Sequence, residues 1–177
     1  MIAARRHRKS IRLKEYDYSL PGAYFITICT YDKQCILSDI IDGELRLRET
    51  GKIVEECWND IPNHFPNVEL DEFVVMPDHI HGIIIIHEPV GAIHESPLPA
   101  SVYERRTMML PKIVGRFKMN SAKRINILLA ASGSHVWQRN YYEHVLRDDK
   151  DLNNIRNYIA GNPVRWALDA EHPDTLQ

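Results

Sequence analysis

Cysteine is scarce in these 177 residues: Cys29, Cys35 and Cys57 are the full set, an odd number without a Cys-x-x-Cys pair. That excludes a disulfide framework and a zinc ribbon, and it suits a reducing cytoplasm. Long apolar runs are missing as well, since stretches such as Ile83 to Ile86 stop far short of the roughly 20 residues a membrane helix needs. No apolar segment follows the basic N-terminus as a secretory signal would require, so a soluble, unexported, cytoplasmic protein with no membrane partner is expected. Glycine is held to 8 residues, and 44% of the chain is hydrophobic. Collagen-like, coiled-coil and disordered chains are thereby excluded, which leaves one globular domain with a sizeable core.

Acidic residues are absent from two segments. Residues 1–14 hold Arg5, Arg6, Arg8, Lys9, Arg12 and Lys14, and residues 105–142 hold Arg105, Arg106, Lys112, Arg116, Lys118, Lys123, Arg124 and Arg139. The formal net charge of -2 conceals this, because the other 125 residues set 8 bases against 24 acids, a formal charge of -16. Such a two-sided molecule can hold a polyanion on its basic side; solvated basic arms and helices are the plainer alternative. Arg5, Arg6, Arg8, Lys9 and Arg12 of the arm, with Lys112, Arg116, Lys118, Lys123 and Arg124 of the later segment, are the candidate nucleic-acid contacts.

The β-branched and aromatic stretch from Ala23 to Tyr31, preceded by Pro21-Gly22, predicts a first strand. Two short edge strands are expected around Cys35–Leu37 and Leu45–Arg48, about a turn at Ile41-Asp42-Gly43-Glu44. Helical spacing follows over Thr50–Asn59, then a hairpin of two strands, Val68–Met76 and His79–His87, turning at Pro77-Asp78. Residues 88–110, with Pro89, Pro97 and Pro99, read as a mobile connection. A helix over Pro111–Ala130, a short strand at His135–Gln138 and a last helix over Asp149–Gly161 complete the pattern. The order β-α-β-β-α-β predicts an α+β fold of the ferredoxin-like split βαβ type. Its antiparallel sheet would carry helices on one face, leave the other open to a single strand or a metal, and add an extra C-terminal helix. The expected organisation is a basic arm (1–14), one domain (15–170) and a short tail (171–177).

In a strand, His79 and His81 leave one face while Ile80 enters the other, so the two imidazoles can converge on one metal ion. Two hydrogen-bonded histidines in a chain that has 9 would show the same spacing, but a polar pair at the mouth of an apolar strand must be solvated, paired or metal-bound. Asp78 reads first as a turn aspartate, with orientation of a neighbouring imidazole as its other role. Tyr158 and Asn162 stand four apart, one helical turn, beside the apolar stripe Leu152, Ile155 and Ile159. A helix packed against the hairpin could then bring a phenol and an amide oxygen to the histidines; a half-buried tyrosine and a helix-ending Asn before Pro163 fit the same residues.

Three segments occur in the order of one family: Met76-Pro77-Asp78-His79-Ile80-His81-Gly82, then Val136-Trp137-Gln138-Arg139-Asn140-Tyr141-Tyr142-Glu143-His144, then Arg156-Asn157-Tyr158-Ile159-Ala160-Gly161-Asn162-Pro163-Val164. Over residues 15–168 the chain resembles the single-tyrosine HUH transposases, and more narrowly the REP-associated tyrosine transposases. The resemblance implies a transposase that nicks and rejoins single-stranded hairpin DNA through a covalent 5'-phosphotyrosine, acting as monomer or homodimer with Mg2+ or Mn2+. It further implies His79, His81 and Asn162 as metal ligands and Tyr158 as nucleophile on the C-terminal helix. Tyr141 and Tyr142 are passed over, because Val145 and Leu146, four residues on, can ligate nothing. A non-catalytic ferredoxin-like nucleic-acid-binding module is the alternative. A hydrolase using the histidines to activate water would lack the carboxylates such sites usually carry.

Overall fold

A computed structural model describes residues 20–41, 44–88 and 108–168. The basic arm with Arg5, Arg6, Arg8, Lys9 and Arg12, the greater part of the Pro-rich connection, and the tail lie outside the described residues. Strand β1 (Gly22–Cys29) leads through a short 3-10 turn to a hairpin, β2 (Ser38–Ile41) and β3 (Glu44–Leu47). Helices α1 (Glu49–Asn59) and α2 (Ile61–His64) precede β4 (Val68–Val75) and β5 (His79–Ile86). Helix α3 (Met109–Leu128), strand β6 (Tyr142–Leu146), helix α4 (Asp149–Ala160) and helix α5 (Asn162–Leu168) follow.

The main sheet has the order β4-β5-β1-β6, and each neighbouring pair is antiparallel. Strand β5 is inserted between β1 and β4, and β1 between β5 and β6, so the split βαβ plan expected from the element order is present. Alternation along β1 sends Tyr24, Ile26 and Ile28 into one layer with Ile80 and Ile84 of β5, where α1 supplies Val54 and Trp58 and α3 supplies Ile113, Val114 and Phe117. Removing each such side chain from water contributes about 1.5–3 kcal/mol. The other face carries Phe25 and Ile83 with Leu146, and α4 seals them with Leu152, Ile155 and Ile159. The two helices of the βαββαβ unit thus share one face, while the extra helix occupies part of the face that the sequence reading leaves open.

Four details differ from expectation. Residues 135–138 form only an isolated bridge, Thr30 to Trp137, because Trp137 turns into the core and its Nε1 donates to Ser121 Oγ at 2.9 Å. The edge of β1 pairs instead with Tyr142–Leu146. Cys35–Leu37 is not a strand: Leu37 is fully buried and its backbone N–H donates to Pro77 O, which leaves pairing to Ser38–Ile41. Helix α3 begins at Met109, inside the segment expected to be a connection, since Leu110 is already buried in the core. Finally, α4 ends at Ala160 and Asn162 opens α5, so Tyr158 and Asn162 do not share one helix; Gly161, with helical φ and ψ, joins the two. Among the described residues, no helix is long and apolar enough to cross a membrane, and the three cysteines are free thiols.

Candidate active site

The β4–β5 turn is tied to the end of β1. Thr30 donates to Asp78 O from both its backbone nitrogen, at 2.8 Å, and its hydroxyl, at 2.9 Å. This holds Asp78 buried, with its Oδ1 only 2.5 Å from His79 Nδ1. A carboxylate accepts only, so His79 donates from Nδ1, which turns its Nε2 toward His81. Asp78 is therefore an imidazole-orienting residue and not merely a turn aspartate; Lys33 Nζ stands 4.0 Å from its other oxygen.

His81, two residues on, faces the same way, as the strand period requires. Its Nε2 lies 3.0 Å from His79 Nε2, its Nδ1 lies 2.8 Å from Thr27 Oγ1, and its ring stacks on Phe25 with centroids 5.3 Å apart. Burial, with a smaller contribution from the charge of His79, pushes the His81 pKa down to about 3. The ring is thus neutral near pH 7, the state in which an imidazole nitrogen can serve as a ligand.

Tyr158 comes to this pair from α4. The Asp148 carboxylate caps the helix by accepting from Asp151 N at 2.8 Å, and the stripe Leu152, Ile155 and Ile159 seats it on the sheet. A bulge in β4 between Leu70 and Phe73 opposes Asp71 and Glu72 to Ile83 alone. Through it Asp71 meets Arg156, whose Nε lies 3.0 and 3.2 Å from the two carboxylate oxygens. The guanidinium holds the Asp71 carboxyl below its usual pKa. So anchored, Tyr158 is half-buried edge-on to Phe25, and its Oη is 3.4 Å from His81 Nε2. From α5, Arg165 lies over the Tyr158 ring at 5.6 Å and Trp166 lies against His79 with centroids 5.5 Å apart.

His81 and Tyr158, 77 positions apart, are therefore brought together beside His79. Asn162 is buried at the α4–α5 junction, and among the described residues no side-chain hydrogen bond ties it to either histidine. Tyr142 pairs with Thr27 on the far side of β1 from His81, their backbones about 10 Å apart across two strand spacings, and its ring lies edge-on to Phe25 with centroids 6.3 Å apart. Tyr141 packs against the core on the other face.

Two nitrogens 3.0 Å apart suit neighbouring positions around a hard divalent ion bound at about 2.1 Å. Both rings are anchored through Nδ1, the usual arrangement behind a metal-binding histidine. Among the described residues no group of three His, Cys, Asp or Glu could hold a metal.

The basic residues of α3 stand elsewhere. Helix α3 packs with α1 on the sheet face opposite the histidines. Lys118 Nζ donates to Gln138 O at 2.6 Å and Arg139 O at 3.1 Å, Arg116 lies 2.8 Å from His64 Nε2, and Arg124 pairs with Glu56. Lys112 and Lys123 are exposed. Asp71, Thr27, Arg165 and Trp166 escaped the sequence reading, as did the anchoring role of Arg156; for Thr27 the outward position in β1 was the available signal.

No protein-family model matches the chain. A Haemophilus influenzae protein called uncharacterized is 43% identical over 179 residues, covering 95% of this chain and 94% of that protein. A second H. influenzae protein, whose name assigns it to the REP-associated tyrosine transposases, is 31% identical over 150 residues, covering 84% of this chain and 74% of its own length. Among solved structures, a REP-associated tyrosine transposase bound to a REP hairpin is similar in fold, with TM-score 0.52 and 19% identity over 89% of this chain and 74% of that one.

Proposed function

The chain belongs to the REP-associated tyrosine transposases, and from that premise we propose that it nicks and rejoins single-stranded hairpin DNA, with Tyr158 as nucleophile and His79 and His81 as ligands of a divalent cation. The observation that carries this reading is the convergence of the Tyr158 hydroxyl and two oriented imidazole nitrogens within hydrogen-bonding distance on one sheet face. The likeness to a transposase bound to a REP hairpin supports the choice of DNA partner. Asn162, buried one turn beyond Tyr158, is the candidate for a third ligand.

In the proposed step Tyr158 Oη gives up its proton and forms a bond to phosphorus. The bond from phosphorus to the 3' oxygen breaks, and that oxygen leaves as a hydroxyl after taking a proton. One phosphodiester replaces another, so the freed 3' hydroxyl can attack later and reverse the exchange without ATP. A phenol with pKa near 10 is a modest nucleophile near pH 7. A bound Mg2+ or Mn2+ would supply Lewis-acid polarisation of the scissile phosphate. The protein's share is positional: Phe25 braces both His81 and Tyr158, and the Asp71–Arg156 pair holds α4 to the sheet.

Labelled single-stranded hairpin DNA incubated with Mn2+ should yield a protein adduct that survives denaturing electrophoresis and maps to Tyr158. Tyr158→Phe should abolish it while DNA binding persists, and Tyr141→Phe or Tyr142→Phe should retain it. An adduct mapping to Tyr141 or Tyr142, or one formed after complete metal removal, would overturn the assignment. Hairpin binding with no adduct under any metal would identify a non-catalytic DNA-binding module.

A further inference from the structure

Three contacts form one chain across the site. Asp78 Oδ1 meets His79 Nδ1 at 2.5 Å, His79 Nε2 meets His81 Nε2 at 3.0 Å, and His81 Nδ1 meets Thr27 Oγ1 at 2.8 Å. The carboxylate accepts only, so the proton of a neutral His79 stays on Nδ1 and its Nε2 is bare. For both Nε2 atoms to face a cation, the His81 proton must sit on Nδ1, and Thr27 Oγ1 must accept it.

We infer that Thr27 is a positioning residue for His81: its hydroxyl oxygen accepts the Nδ1 proton and so holds Nε2 bare toward the cation. The inference rests on the reading of His79 and His81 as metal ligands. A hydroxyl oxygen has two lone pairs with which to accept that proton. A methyl group in its place has none. Thr27 is also fixed where it must be, because it lies directly opposite His81 in the β1–β5 register. His81 is only 5% exposed, so the ring nitrogen beside Thr27 depends on a protein partner.

The test uses the full chain, stripped of metal and titrated with Mn2+, with free Mn2+ followed by electron paramagnetic resonance. Thr27→Val, which keeps the shape and removes the hydroxyl, should weaken Mn2+ binding about 10–100-fold, as loss of a partner behind a metal-binding histidine generally does. Thr27→Ser should bind as wild type does. Mn2+ affinity unchanged in Thr27→Val, while His81→Ala loses it, would overturn the role of Thr27 and leave the metal reading standing. Failure of the wild type itself to bind Mn2+ would remove both. Should Thr27→Val fold poorly, long-range 1H–15N spectra of the Mg2+-saturated wild type decide: His81 should carry its proton on Nδ1, hydrogen-bonded to Thr27, and a freely exchanging Nδ1 proton or one on Nε2 would overturn the inference.

Discussion

Substituting Gly82 by alanine puts a methyl group where the ring of Trp58 already lies. Gly82 follows His81 in β5 and faces the α1 side of the sheet; a Cβ there would stand 2.5 Å from Trp58 Cη2 and 3.0 Å from Phe73 Cδ2. Carbon atoms rest at about 3.5–4.0 Å, so roughly 1 Å of overlap must be relieved. Trp58 cannot readily yield: it is 1% exposed, stacked on Phe73 with centroids 4.5 Å apart and edge-on to Phe117 at 5.6 Å. Overpacking of this kind costs about 1–3 kcal/mol. At this chain length each kcal/mol lowers the melting temperature by about 2–4 °C, so Gly82→Ala should melt about 2–12 °C lower. Thermal and urea unfolding followed by far-ultraviolet circular dichroism measures both. Trp58→Phe removes the ring atoms that clash, so the double variant should be more stable than the two single losses predict, with a coupling of at least about 0.5 kcal/mol. A Gly82→Ala protein as stable as wild type, or strictly additive losses, would refute the reasoning. Because the displaced strand carries His81, a weaker affinity for Mn2+ should accompany the lower stability.

Acid should destabilise the fold earlier than carboxylate protonation alone would. With its folded pKa depressed to about 3 against an ordinary 6.5, His81 stays neutral while the unfolded chain takes up a proton. Stability is fully present above pH 6.5 and falls as pH drops toward 3, with about 2 kcal/mol lost by pH 5. His81→Asn should flatten unfolding curves by one proton over that window, and an unchanged slope would remove the effect; Asp71, whose pKa is lowered by Arg156, adds its own loss only below its ordinary value of 3.8. Asp71→Asn should leave the sheet intact yet speed hydrogen exchange in α4 and reduce Tyr158 adduct, whereas unaltered exchange over residues 149–160 would show that the bulge does not anchor the helix. Replacing Arg5, Arg6, Arg8 and Lys9 by alanine should lower the salt dependence of hairpin binding by about 0.7 log units per lost phosphate contact. An unchanged slope, measured by filter binding over a salt series, would assign the arm to solvent.

Local spacing carries far in this protein, because helix and strand periods act over a few residues. The period of 2 puts His79 and His81 on one face, Leu152, Ile155 and Ile159 mark the seat of α4, and the order of elements specifies the split βαβ sheet. Strand β6 escaped for a physical reason: Glu143 is its inward residue, so Tyr142–Leu146 shows no apolar alternation. What only the tertiary structure decided depends on register and layer packing between distant segments. Thr27 becomes the partner of His81 through a strand pairing across 54 positions, and Asp71 becomes the anchor of Arg156 through a bulge across 85. The basic stripe of α3 was visible in the sequence, yet its place behind the sheet from the histidines follows from the burial of Ile113, Val114 and Phe117 against β1 and β5. A helical stripe predicts that one side will be covered; which face of the sheet covers it is set by the crossover that connects β5 to β6.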